Sequence, residues 1–131
     1  GIIAPGPDKD GPYSVYEVDQ LPQFPNTPKD LTTTEQKDIF NAKLRAHIME
    51  HIAVPQQDLG LSGKQRIYVK FNISKTGNVE KLQIRAPHKI LEDITRNAIG
   101  KLPTFSPGQN FGEKVPVSFT LPILIDMDTS D

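Results

Sequence analysis

The sequence predicts an α+β fold: a three-stranded antiparallel sheet, in the order 2-1-3, with two helices on one face. Three observations carry this expectation. Phe40, Leu44, Ile48 and Ile52 recur every fourth residue, which places them on one helical stripe. Ile67, Val69, Phe71 and Ile73 alternate with Tyr68, Lys70 and Asn72, the period of two expected of a strand with one buried face. Val115, Val117, Phe119, Leu121 and Ile123 alternate in the same way.

Residues 1–30 differ from the rest. Pro5, Pro7, Pro12, Pro22, Pro25 and Pro28 supply half of the chain's 12 prolines. Proline fixes φ and lacks a backbone donor, so this stretch is read as an extended, proline-rich tail. Within it, Tyr13–Val18 is either a short strand packed on the body or part of a linker, and the residues alone leave both open. The body is expected over residues 31–125. Its first helix begins near Thr32–Thr34, where Thr32 with Glu35 and Thr33 with Gln36 both fit a capping box. Pro55 ends it, because the residue before a proline avoids helical geometry.

A loop with Gly60 and Gly63 leads to the first strand, Ile67–Ile73. Ser74–Asn78 reads as a hairpin loop, with Gly77 at its left-handed position. The return strand is Val79–Arg85, and its alternation slips in a way that suggests a bulge near Glu80 and Lys81. A second helix is expected over His88–Lys101, with Leu91, Ile94, Ala98 and Leu102 on one face and Pro103 closing it. A loop with Pro107, Gly108 and Gly112 precedes the last strand, Val115–Ile123. Residues 126–131, with Asp126, Asp128 and Asp131, read as a solvated tail.

A right-handed crossover from the second strand over the first places the third strand antiparallel to the first, at an edge. The prolines agree. Pro116 and Pro122 share a parity, so their missing donors face one side, which an edge strand tolerates and a central strand does not. Ser118 and Thr120 share that parity and keep their backbone donors. Such an open edge can take up an extended peptide. Pro116, Ser118, Thr120 and Pro122 are therefore the candidate partner-binding residues.

Composition narrows the function classes. The formal net charge is −1, from 15 basic and 16 acidic residues, which argues against a nucleic-acid partner and against a polybasic lipid anchor. There are no cysteines, so disulfides and thiolate metal sites are excluded. No apolar run approaches the ~18 residues of a membrane span. Gly1 directly before Ile2 and Ile3 fits a cleavage scar; if it is one, an anchor or signal has been removed. One enzymatic reading competes. His47-Ile48-Met49-Glu50-His51 spells the inverted zinc-peptidase motif, with both histidines on one helical face. No third ligand is placed for it, and Glu50 falls about 100° around the helix from His51. The expectation is a non-enzymatic protein without cofactor or metal.

Leu102–Ile123, reading LPTFSPGQNFGEKVPVSFTLPI, closely resembles the end of TonB C-terminal domains of Bacteroidetes-type bacteria. Gly60-Leu-Ser-Gly63 with the following strand and Gly77 resembles the family's Gly-Ile-x-Gly, strand and Asp-Gly turn. Val18-Asp-Gln-Leu-Pro-Gln-Phe-Pro25 resembles the acidic-Pro-x-Phe-Pro element before the family's first helix. The resemblance covers residues 15–124. Where the family has Tyr-Pro after the first helix, near the receptor contact, this chain has Val54-Pro55; Phe105 replaces the family's Trp, and Asn26-Thr27 its Gly-Gly. These departures bear on partner preference rather than on fold.

The resemblance implies a periplasmic domain, inner-membrane anchored in the full-length protein, that couples inner-membrane motor proteins to TonB-dependent outer-membrane transporters. It implies that the transporter's TonB box is gripped by strand addition, with Val54 and Pro55 as further contact residues. A stand-alone periplasmic adaptor without a motor anchor is the alternative, and a strand-swapped homodimer stays open.

Overall fold

The computed structural model describes residues 12–55 and 57–128. Its elements are α1 (Thr33–His51), β1 (Lys64–Ile73), β2 (Val79–Arg85), α2 (Lys89–Gly100), β3 (Gly108–Asn110), β4 (Glu113–Val115) and β5 (Val117–Asp126). The main sheet has the order β2-β1-β5 and is antiparallel throughout. This is the expected 2-1-3 arrangement, an α+β fold. β3 and β4 form a separate two-stranded sheet.

The capping box at α1 forms on Thr32. Its hydroxyl accepts from the Glu35 N–H at 3.1 Å, and the Glu35 carboxylate accepts from the Thr32 N–H at 2.9 Å. The overlapping pair, Thr33 with Gln36, is not used. Gln36 is buried instead, where its Oε1 accepts from the Leu21 N–H and its Nε2 donates to the Leu31 carbonyl. Phe40, Leu44 and Ile48 are buried along the stripe, and Ile52 serves as C-cap. α2 starts on an unanticipated cap, His88, whose Nδ1 accepts from the Ile90 N–H at 3.0 Å. Its buried face is Leu91, Thr95, Ala98 and Ile99, rotated from the expected one, with Ile94 and Leu102 only partly buried. Thr95 is tolerated there because its hydroxyl donates to the Leu91 carbonyl at 2.7 Å.

Apart from Gln65, the odd-numbered residues of β1 and β5 are buried, and most even-numbered ones are exposed, so one face of the sheet carries the core and the other meets solvent. β1 pairs with β5 along its whole length, from Lys64 opposite Asp126 to Ile73 opposite Val117. The pairing with β2 slips between Lys70 and Asn72, which lie opposite Gln83 and Glu80. Lys81 adopts φ 54°, so the expected bulge is present at this point. Phe40 stacks on Phe119 with ring centroids 4.6 Å apart, and Phe24 and Phe105 each approach Phe40 within 5.5 Å. In the hairpin turn Gly77 adopts φ +85°, and a Cβ there would meet the Phe105 backbone. The Gly77 carbonyl accepts from the Phe105 N–H, tying the hairpin to the segment after α2.

The last strand departs from the expectation at both ends. Val115 belongs to β4, paired with Gly108, and β5 begins after Pro116 and continues to Asp126. The β3–β4 turn places Phe111 and Gly112 both at positive φ. Residues 12–30 contain no regular helix or strand. They nonetheless cross the body: Gln20 bridges Gln109, Gln23 bridges Ser106, and Tyr13 bridges Val117. Val18 and Leu21 are buried in the core cluster. Residues 15–17 form a turn, so Tyr13 makes an isolated bridge rather than opening a strand to Val18.

Leu44 and Phe71, from helix and central strand, are both fully buried in one cluster. Truncating either to alanine should lower unfolding free energy by about 2–5 kcal/mol in urea denaturation. Lys70→Ala, on the exposed face, should change it by less than about 0.5 kcal/mol.

Candidate functional site

The ladder with β1 uses the inward backbone groups of β5, so the groups of the other parity point to the open side. The hydrogen bonds on that side confirm the parity. The Ser118 N–H donates to the Tyr13 carbonyl at 2.8 Å, and the Pro116 carbonyl accepts from the Tyr13 N–H at 2.9 Å. The Pro122 carbonyl accepts from Arg45 Nη1 at 2.9 Å. Pro116, Ser118, Thr120 and Pro122 are thus brought into one row. Three of the four are already engaged from within the chain, Pro116 and Ser118 by Tyr13 and Pro122 by Arg45.

Thr120 is the exposed residue between these two contacts, and among the described residues nothing bonds to its outward backbone. Leu124, of the same parity and 48% exposed, extends the open stretch beyond the strand end expected from sequence. Its alternation with Ile123 and Ile125 was the available signal. Val54 and Pro55 are not part of this row; they stand in the connection from α1 to β1, with Val54 exposed and Pro55 half-buried.

The open edge is flanked by α1. A cavity of about 470 Å³ lies between the N-terminal segment, α1 and β5, lined by Val15, Tyr16, Lys37, Asn41, Ser118 and Thr120 among others. Lys37 and Asn41 are one helical turn apart, and Arg45 follows at the same spacing. Lys37 Nζ sits 4.5 Å from the Tyr16 ring centroid and donates to the phenol oxygen at 2.9 Å. That hydrogen bond, followed by the lysine charge, holds the Tyr16 phenol below its ordinary pKa. The other sheet edge, on β2, is interrupted at Lys81 by the bulge, which twists it away from regular pairing.

The two histidines of the zinc-motif spelling are tied elsewhere. His47 Nε2 donates to the Ala98 carbonyl at 3.2 Å, joining α1 to α2. His51 Nδ1 donates to the His47 carbonyl at 2.8 Å. Their rings stack at 4.2 Å. Among the described residues no group of three or more metal-ligating side chains converges. Burial pushes the His47 pKa below its ordinary value, outweighing the bond to Ala98, which acts the other way; the His51 charge lowers it further.

These features define a small α+β module with one interrupted sheet edge and one regular edge that is partly covered. The family model described as Gram-negative bacterial TonB protein C-terminal matches residues 57–124, more than half of the 131 residues. The chain belongs to this family of TonB-like periplasmic domains, a family of non-enzymatic transducer domains. No curated protein matches the chain. Among the described residues no helix is long and apolar enough to cross a membrane.

The lowered His47 pKa has a defined sign. The folded state disfavours the charged ring, so its contribution is fully present above the unfolded histidine value, ~6.5, and is lost as pH falls through it toward the lower folded value. Urea midpoints of the wild type should therefore fall relative to those of His47→Gln as pH drops below about 6.5, with the difference constant above it.

Proposed function

We propose that this chain is the receptor-contacting periplasmic domain of a TonB-type energy transducer. It takes up the TonB box of an outer-membrane transporter as an added strand on β5, in support of energy-dependent uptake across the outer membrane. The observation that carries this reading is the outward backbone of Thr120, exposed in a regular edge strand between Tyr13 and Arg45. An added peptide would pair with the N–H and carbonyl of Thr120 and Leu124 and with the Pro122 carbonyl. Arg45 is exposed, so its bond to Pro122 is readily exchanged. Extending the pairing to Ser118 and Pro116 requires Tyr13 to leave. Val54 and Pro55 would supply a second contact with the receptor. The motor proteins of the inner membrane would be reached through an anchor upstream of this domain. A second copy of the chain, pairing edge to edge, would compete for the same strand.

Titration with a TonB-box peptide from the cognate organism tests the reading. Thr120→Pro removes one outward donor and leaves the inner ladder intact, so binding should weaken several-fold or more, each bond being worth about 0.5–1.5 kcal/mol. Thr120→Ala keeps the donor and should bind nearly as the wild type. Deleting residues 1–15 removes Tyr13, frees Ser118 and Pro116, and should raise affinity. Equal affinity of the wild type and a folded Thr120→Pro protein would sink strand addition at this edge.

A further inference from the structure

The solvent face of the sheet carries a concentration of positive charge that the overall composition does not. Arg66, Tyr68 and Lys70 project from β1 on this face, and all three are exposed. Tyr68 lies between Arg85 on β2 and Pro122 on β5, and Arg66 lies opposite Leu124. The centre is apolar: Tyr68 is 47% exposed and Leu124 48%. Around it stand Arg66, Lys70 and Arg85, and among the described residues none of the three makes an ion pair. The acids of the same face lie at its two ends, Glu80 opposite Asn72 and Asp126 opposite Lys64. Like charges gathered on one face of a small sheet repel one another and do nothing to hold it together. In a chain of net charge −1 they make a local positive field.

We propose that this face is a second interaction surface, and that its occupant is an acidic polypeptide segment of the partner that pairs at β5. The proposal rests on the strand-addition reading for the identity of the partner. Three features favour a polypeptide. Exposed tyrosine and arginine around an apolar centre are what the cores of protein interfaces are built from. A shallow concavity of about 420 Å³, lined by Tyr68, Lys70, Gln83, Arg85 and Thr120, has room for side chains rather than a flat bilayer surface. Thr120 belongs both to this concavity and to the open edge, so a chain leaving the edge passes directly onto the face. An anionic lipid surface calls for clusters of about four to eight unpaired lysines or arginines; of the four cations on this face Lys64 stands opposite Asp126, which leaves three around the apolar centre. Acidic side chains of the partner would meet Arg66, Lys70 and Arg85, and an apolar one would cover Tyr68.

The test is titration of the ¹⁵N-labelled full chain with a soluble glutamate-rich peptide bearing a central leucine pair, and with its glutamine counterpart. Saturable shifts should be confined to the amides around Arg66–Lys70, Gln83–Arg85 and Leu124, with the glutamine peptide roughly tenfold weaker. Lys70→Glu combined with Arg85→Glu should reduce affinity by about tenfold, and Tyr68→Ala by several-fold, in proteins whose circular dichroism is unchanged. The glutamate peptide carries no TonB box, so its titration reads this face alone, and failure of the edge reading appears only in the TonB-box titration. Absent or scattered shifts, equal binding of the glutamine peptide, or indifference to charge reversal would overturn the proposal. So would binding of phosphatidylglycerol vesicles in place of the peptide.

Discussion

Continuous pairing between β1 and β5 is the constraint on which the rest of the molecule depends. Each residue from Lys64 to Ile73 faces one from Asp126 to Val117, without a slip. The register aligns the buried odd residues of both strands, so Phe71 stands opposite Phe119 and stacks on it, and Phe119 in turn stacks on Phe40 of α1. Shifting it by one residue would turn either set to solvent. The same ladder dictates what β5 leaves over. Because its inward backbone groups are committed to β1, the groups of Thr120 and Leu124 have nowhere to point but outward. Core and candidate site are consequences of one pairing.

Much of this was legible in the sequence, and the parts that were not share a physical cause. Four-residue and two-residue periods are local signals, and they located α1, β1 and β2. The parity of Pro116 and Pro122 identified the edge and the row containing Ser118 and Thr120. β3 and β4 escaped because strands of three residues carry no period, and their turn uses Phe111 and Gly112 where Asn-Gly or Asp-Gly would have been the signal. Gln36 fitted a capping box equally well on paper; only its encounter with the Leu21 N–H, far along the chain, decided against it. Tyr13 on Ser118 and Arg45 on Pro122 are likewise contacts between distant residues, which spacing alone does not reveal.

The two edges of the sheet are treated differently. On β2 the bulge at Lys81 breaks the row of donors and acceptors, a common protection against unwanted pairing. On β5 the prolines thin the row without ending it, and a short piece of the protein's own chain shields its beginning. Protection that is local and uses backbone hydrogen bonds of Tyr13 is reversible, whereas a bulge is permanent. The same edge can then be guarded in the free protein and open to a competitor that offers more bonds.

The length of the β1–β5 ladder also has a mechanical side. A peptide laid along β5 and drawn along its own axis would load its hydrogen bonds together, in shear, rather than peeling them one at a time. The tension would pass sideways into the next ladder, which spans all of β1 and would share it among every rung at once. A short or slipped pairing would concentrate the strain at a few rungs and rupture first within the protein. An uninterrupted ladder behind the edge would make the domain a stiff handle, and a peptide junction on β5 would be its weakest seam.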